Sequence, residues 1–229
     1  MTALTLHYHP LSSYCHKVLI ALDELGVQAD KRLLNLGDPA ERAAFLALWP
    51  TGKMPLLIDK GEVVPETSII IEHLQRTHAA PGRTLIPHDA NEALEVRLWD
   101  RLFDLYVMTP MQAFTADLLR AEAERDPLNV TRARDMLLSS YAMIDQHLEG
   151  RNWVTGGAFS MADCAAAPAL FYAVTYVPLA PEHDRLAAYF ERLLERPSVA
   201  RTVDQARPYF KFYPGRKGLS RRFFEPENV

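Results

Sequence analysis

The chain has 229 residues, 25 basic and 29 acidic side chains, a formal net charge of −4 and 48% hydrophobic residues. Slight acidity gives no general electrostatic reason to bind nucleic acid, and the apolar fraction is that of a globular protein with a full core. Two cysteines are too few for a disulfide framework and fit a reducing compartment, no signal-like segment opens the chain, and the longest apolar stretch, CAAAPALFYAV, falls well short of the ~20 residues of a membrane span, so a cytoplasmic protein without a membrane partner is expected.

The first third mixes periods. LTLHY (residues 4–8) alternates like a strand. SYCHKVLIALDELG places Val18, Leu22 and Leu25 on one helical face, with Gly26 suited to its C-cap. ADKRLLNL reads as a second strand, and DPAERAAFLAL as a helix capped by Asp38 with Pro39 at its first position. MPLLID and EVVPE are two short strands joined around KG, and ETSIIIEHLQRTH is a third helix. The order is βαβαββα over residues 1–80, followed by a polar linker at 81–90.

Residues 91–229 read as helical throughout. ANEALEVRLWDRLFDLY carries Leu94, Leu98, Leu102 and Leu105 at helical spacing, and Pro110 is expected to kink or break that helix. Asp126-Pro127 opens another, with Val130, Ala133, Leu137, Tyr141, Ile144 and Leu148 as its buried stripe. FSMADCAAAPALFYAV begins with a Ser160-x-x-Asp163 capping box and continues almost uncharged, which predicts a helix buried on all sides. DRLAAYFERLLERPSVARTVDQARPYF supplies one or two more. The basic tail from Lys211 carries Phe212, Tyr213, Phe223 and Phe224, aromatics that predict it docks on the body.

Three stretches carry candidate chemistry. LSSYCHKVLIAL sets Ser12-x-x-Cys15 at a strand–loop–helix junction, where backbone N–H groups and the positive helix end favour an anion such as a thiolate. Either Cys15 is the working thiol, or Ser12 hydrogen-bonds a thiolate that arrives with a ligand; the plain alternative for Ser12 is helix capping, and for Cys15 and Cys164 a buried inert thiol. In GKMPLLID, a Met54-Pro55 bond at a strand start can be cis, leaving the Met54 main chain to pair with an extended peptide. In PETSIIIEHL, Glu66 and Thr67 open a helix and could hold an amino-acid head group or simply cap it. His7 and His9 lie two apart on one strand face with no third ligand to complete a site, so no metal is expected. Tyr106, Met108, Met111 and Phe114 cluster around Pro110 as core or as the wall of an apolar pocket.

Taken in order, these motifs resemble the glutathione S-transferases over nearly the whole chain. LSSYCHKVLIAL looks like the serine motif of the theta, delta and zeta types, LWPTGKMPLLID like the family's NPxGKVPxL segment and PETSIIIEHL like its ESxAIxxYL segment; FSMADCAAAPAL and LLERPSVAR look like two stretches of its helical domain. The resemblance implies a thioredoxin-like domain followed by an all-helical one, in a homodimer that binds glutathione as co-substrate beside a pocket for a small hydrophobic electrophile. It puts Ser12 on the catalytic serine, with Ser13 a second candidate for that role, and Ser13, Lys53, Met54, Pro55, Glu66 and Thr67 on glutathione contacts. Tyr14, Tyr106, Met108, Met111 and Phe114 are then expected to wall the co-substrate pocket. Tyr14, His16, Lys17 and Trp49 depart from the family's usual residues and separate the chain from maleylacetoacetate isomerase. The same fold also admits glutathione-dependent thiol–disulfide exchange, or ligand binding without turnover.

Overall fold

A computed structural model describes residues 4–223; Phe224, named above, lies outside them. Strand β1 (Leu4–Tyr8) is followed by α1 (Ser13–Leu25), β2 (Asp30–Leu33), α2 (Pro39–Leu48), β3 (Leu56–Asp59), β4 (Glu62–Val64) and α3 (Thr67–Thr77), the βαβαββα order expected. The sheet runs β2-β1-β3-β4, with β2 parallel to β1 and both other pairings antiparallel. Local chemistry sets the boundaries. Asp38 caps α2 by accepting from the N–H groups of Ala40 and Glu41 at 2.7 and 3.1 Å. Gly26 ends α1 at φ +67°, a left-handed conformation that a side chain would resist.

The rest of the described chain is helical: α4 (Ala90–Leu102), α5 (Thr109–Leu119), α6 (Pro127–His147), α7 (Met161–Ala173), α8 (Asp184–Glu195) and α9 (Pro197–Ala206), with short 3₁₀ turns after α5 and α9. No helix among the described residues is long and apolar enough to cross a membrane. All of α7 is buried, and it packs against α1 and α4, so one hydrophobic core spans sheet and helices. Two ion pairs reinforce the α1–α9 seam: Arg196 grips Glu24 at 2.6 and 2.8 Å, and Arg201 meets Asp23 at 2.6 Å. The tail docks on α7 through two of its aromatics, while a third stays in solvent: Tyr213 is buried with its ring 5.1 Å from that of Tyr172, the Phe223 ring lies 5.0 Å from that of Phe171, and Phe212 is 66% exposed.

Pro110 does not break its helix. Residues Phe103–Met108 form a π-helical turn that joins α4 to α5. The Thr109 N–H reaches back to the Asp104 carbonyl, and the Thr109 hydroxyl donates to the same oxygen at 2.8 Å. Pro110 has no N–H to give the Tyr106 carbonyl; the Ser140 hydroxyl of α6 lies 2.9 Å from it instead. The wider turn rotates every later residue away from the face that a 3.6-residue period predicts.

The capping box of α7 is tighter than its spacing implies. Asp163, wholly buried, accepts from the Ser160 N–H at 2.8 Å, the Ser160 hydroxyl at 3.0 Å, the Val154 N–H at 3.1 Å and the Tyr189 hydroxyl at 2.6 Å. Asp163→Ala leaves these donors buried without an acceptor and is expected to cost more than about 3 kcal/mol, read as a lower urea midpoint at unchanged slope.

Candidate functional site

Three chain segments and one helical junction enclose a cavity of about 800 Å³. The first segment is the start of α1. The Ser12 N–H donates to the His9 carbonyl at 3.0 Å, which bends the chain from strand into helix. The Ser12 Oγ then accepts the Cys15 N–H at 3.3 Å. Ser12 is therefore an N-cap, and it also lines the cavity. With an Oγ lone pair engaged by the helix, its single O–H remains to donate, to the Cys15 sulfur or to a group that enters the cavity.

Cys15, three residues on, faces inward and has no exposed surface. Burial pushes its thiol up to about 12, although Ser12 and the His9 N–H favour the thiolate. The same helix turn thus exposes the hydroxyl and sequesters the thiol. His16 is likewise buried, its Nε2 2.6 Å from the Pro10 carbonyl oxygen, and burial holds its pKa down to about 4. It stays neutral at physiological pH and takes no cavity position.

The second segment brings Lys53, Met54 and Pro55, with Trp49 and Gly52 before them, to the opposite wall; the Met54–Pro55 bond is cis. The third is the start of α3. Glu66 sits at its N-cap with φ +68°, a conformation that L-residues with a Cβ rarely adopt. Its carboxylate makes no capping bond, so the capping alternative does not account for it. Strain of this kind is kept where neighbouring structure imposes it, commonly at ligand sites. Thr67 and Ser68 follow and line the same space, and the first-turn N–H groups of a helix have no intrahelical partner.

The fourth wall is where sequence and structure part. Tyr14 lines the cavity, but Met108, Met111 and Phe114 are buried in the core and Tyr106 lies outside the cavity lining, half exposed. The π-helical turn is the cause: it directs Asp104 and Leu105 to the cavity and sends Val107 and Met108 inward. Ser13 is also buried and does not line the cavity. Neither does any described residue of the tail. The remaining wall, absent from the sequence reading, is largely polar: Asp100, Arg101, Asp104, Thr109 and Gln112, with Arg97 held on Glu72 at 2.8 and 2.9 Å.

Beneath that wall is Lys17, wholly buried, with its Nζ 2.6 Å from Asp100, 2.7 Å from Asp104 and 3.1 Å from the Ser68 hydroxyl. Ser68 donates in turn to Asp100 at 2.5 Å. Burial alone would favour a neutral amine, but the two carboxylates outweigh it and raise the Lys17 pKa. For Asp104 burial wins, and its pKa is raised despite the lysine. His7 and His9, singled out on their strand, belong to no three-ligand group among the described residues.

The sequence matches the family description "Glutathione S-transferase, N-terminal domain" over residues 6–82 and "Glutathione S-transferase, C-terminal domain" over 122–192. "Glutathione S-transferase A" of Pleuronectes platessa is 25% identical over 205 residues, which are 86% of this chain and 89% of that protein. "FtsZ-localized protein A" of Caulobacter vibrioides is 31% identical over 206 residues, covering 84% and 87%. A glutathione S-transferase from Methylobacillus flagellatus, solved with GSH bound, superposes with a TM-score of 0.79 at 29% identity, covering 87% of this chain and 98% of that one. The fold defined by sheet, helical half and interposed cavity is therefore that of a known class, and the chain belongs to the glutathione S-transferase family.

Replacing Lys17 by Met leaves two buried carboxylates sharing no cation, and a loss of about 3–5 kcal/mol is expected in chemical denaturation. Because the folded pKa of Lys17 is raised, its contribution is complete below the unfolded value near ~10.4 and fades as pH climbs through the folded one. The stability difference between wild type and Lys17→Met should accordingly shrink as pH rises above about 10.

Proposed function

We propose that the protein is a serine-type glutathione transferase, closest in character to the theta and zeta groups. Ser12 is its catalytic residue; Lys53, Met54, Pro55, Glu66 and Thr67 hold glutathione. The reading assigns the γ-glutamyl ammonium to the Glu66 carboxylate and its carboxylate to Thr67 and the α3 N-terminus. The cysteine main chain of glutathione pairs with Met54, and its thiol meets the Ser12 hydroxyl. The observation that carries this reading is that Ser12 caps a helix N-terminus and lines the same cavity as Glu66.

A free thiol has a pKa near ~8.5, so only a few per cent is ionised at neutral pH. One hydrogen bond and a helix N-terminus supply roughly one to two units of depression, about 1.4 kcal/mol each. The thiolate sulfur then attacks an electrophilic carbon; the new C–S bond forms as the leaving group departs with its electron pair, or as a proton adds to the neighbouring atom. Serine acts by orientation and electrostatics, with no covalent enzyme intermediate.

The co-substrate is a small electrophile with an apolar body and a hydrogen-bonding group. Tyr14 and Leu105 offer apolar wall, while Asp104, Thr109 and Gln112 offer polar partners. Two domains meet at the site: residues 1–80 bring the glutathione contacts, and 91–229, after the linker 81–90, bring the co-substrate wall. Two free cysteines, both buried, suit a reducing cytoplasm, where conjugating electrophiles serves detoxification. Thiol–disulfide exchange through Cys15 is disfavoured by its burial, and carriage of ligands without turnover has no use for a serine poised over the site.

The active species is a homodimer. Support comes from apolar side chains that the single chain leaves bare outside the cavity: Leu94 and Leu98 on α4 are 66% and 55% exposed, while Ala93, Val96, Trp99 and Phe103 turn inward. A second copy would bury it.

Ultraviolet titration of bound glutathione should show a thiol pKa one to two units below the free value in the wild type and a return toward ~8.5 in Ser12→Ala. Turnover of an activated aryl halide should fall about 10- to 100-fold in the same variant, while Cys15→Ser keeps the wild-type thiol pKa. Equal thiol pKa values in wild type and Ser12→Ala would remove Ser12 from its role, and failure of the wild type to bind glutathione would restore the ligand-carrier reading. Leu98→Glu should shift the species seen by light scattering from dimer to monomer.

A further inference from the structure

We infer that Asp59, His73 and His78 form a binding site for one divalent transition-metal ion, zinc by preference. Asp59 closes β3 at the end away from Pro55, about 13 Å along the strand from the cavity wall. His73 lies on the last turns of α3, and His78 is its C-cap. On an ideal helix, residues five apart point to different sides. Here His78 leaves the helix at φ −133°, ψ −12°, and its ring comes round to the Asp59 side. The two ring centroids are 6.0 Å apart.

Both imidazoles converge on one carboxylate oxygen. The Nε2 atoms of His73 and His78 stand 2.8 and 2.7 Å from Asp59 Oδ2, and all three ligand atoms fall within 4.8 Å of one another. The other oxygen, Asp59 Oδ1, is buried without a hydrogen-bond partner among the described residues, and Asp59 as a whole is 7% exposed. A buried carboxylate oxygen left without a donor is costly in an ordinary surface ion pair and is suited to a cation.

The chemistry of the donor set selects the ion. Two imidazoles and a carboxylate form the three-protein-ligand pattern of an open zinc site, completed by water, and nitrogen ligands disfavour calcium and magnesium. Tetrahedral bonds of about 2.0–2.1 Å put ligand atoms roughly 3.3 Å apart, so each ring must withdraw from Asp59 by about 0.5 Å. The His73 and His78 side chains are 21% and 24% exposed, free enough to move and open enough to admit the ion. On binding, the proton that each neutral ring carries on Nε2 passes to Nδ1 by exchange with solvent, and a ring that is protonated releases one proton. The ion would join the far end of β3 to the far end of α3, the two elements whose near ends carry Pro55 and Thr67, without entering the cavity.

The test uses untagged full-length protein, cobalt(II) as the spectroscopic probe and zinc for calorimetry and melting, with glutathione left out because it binds metals itself. His73→Gln and His78→Gln each keep an amide N–H able to donate to Asp59, so neither should unfold the chain. A one-to-one cobalt complex with the intense visible bands of tetrahedral geometry, and a zinc-dependent rise in melting temperature, are expected for the wild type. Each variant should lose both, with affinity lower by more than about tenfold. Absence of a one-to-one complex in the wild type overturns the inference. So does a complex that persists unchanged in both variants, since the ion would then sit on other histidines.

Discussion

The buried ammonium of Lys17 is the constraint around which the rest of the molecule is arranged. It belongs to α1, its partners Asp100 and Asp104 belong to α4 and the π-helical turn, and Ser68 adds α3 to the same cluster. A charge without solvent tolerates no slack: an ångström of separation between these helices would strand a cation and two carboxylates in a low-dielectric interior. The helix that presents Ser12 and the helix that begins at Glu66 are thereby fixed to the wall opposite them. The cavity's shape follows from that pairing as much as from the apolar core. The pairing also explains how a largely polar wall can lie so deep, since Asp100 and Asp104 spend their charge on Lys17 from beneath.

Much of the fold was legible in the sequence because its signals are local. Asp38-Pro39, Gly26, Asp126-Pro127 and the Ser160–Asp163 box each announce a helix end through bonds made within a few residues. The stripe from Ala133 to Leu148 on α6 is buried as its period predicts. Where the period changes, the reading fails. The π-helical turn at Phe103–Met108 carries no composition signature beyond Pro110, and once its phase is lost Met108, Met111 and Phe114 are assigned to the wrong side. The leucines of α4 illustrate another limit: regular spacing marks an apolar face without saying whether the chain's own core or another surface covers it.

The candidate site was legible in the same uneven way. Ser12, Lys53, Met54, Pro55, Glu66 and Thr67 stand in short motifs and line one cavity. Asp100 and Asp104 line it too but stand in no motif, because their meaning depends on a lysine far away in the chain that reads, in isolation, as an ordinary polar residue of an amphipathic helix. Asp59, His73 and His78 are separated for the same reason and gather only when β3 and α3 are laid side by side. The positive φ of Glu66 has no sequence signal at all, since nothing about a glutamate announces a left-handed backbone.

Helix α7 has no face toward water, and α1 lies directly on it. The segment most central to the helical half therefore finishes its burial only when the sheet half arrives, and α1 in turn has no other cover for that side. Each half leaves part of its core uncovered without the other. One core runs through both halves, and the cleft lies along the seam between them. Heat or denaturant that opens the cleft by separating the halves would also expose the centre of the molecule, so the working site should persist until the whole structure is lost.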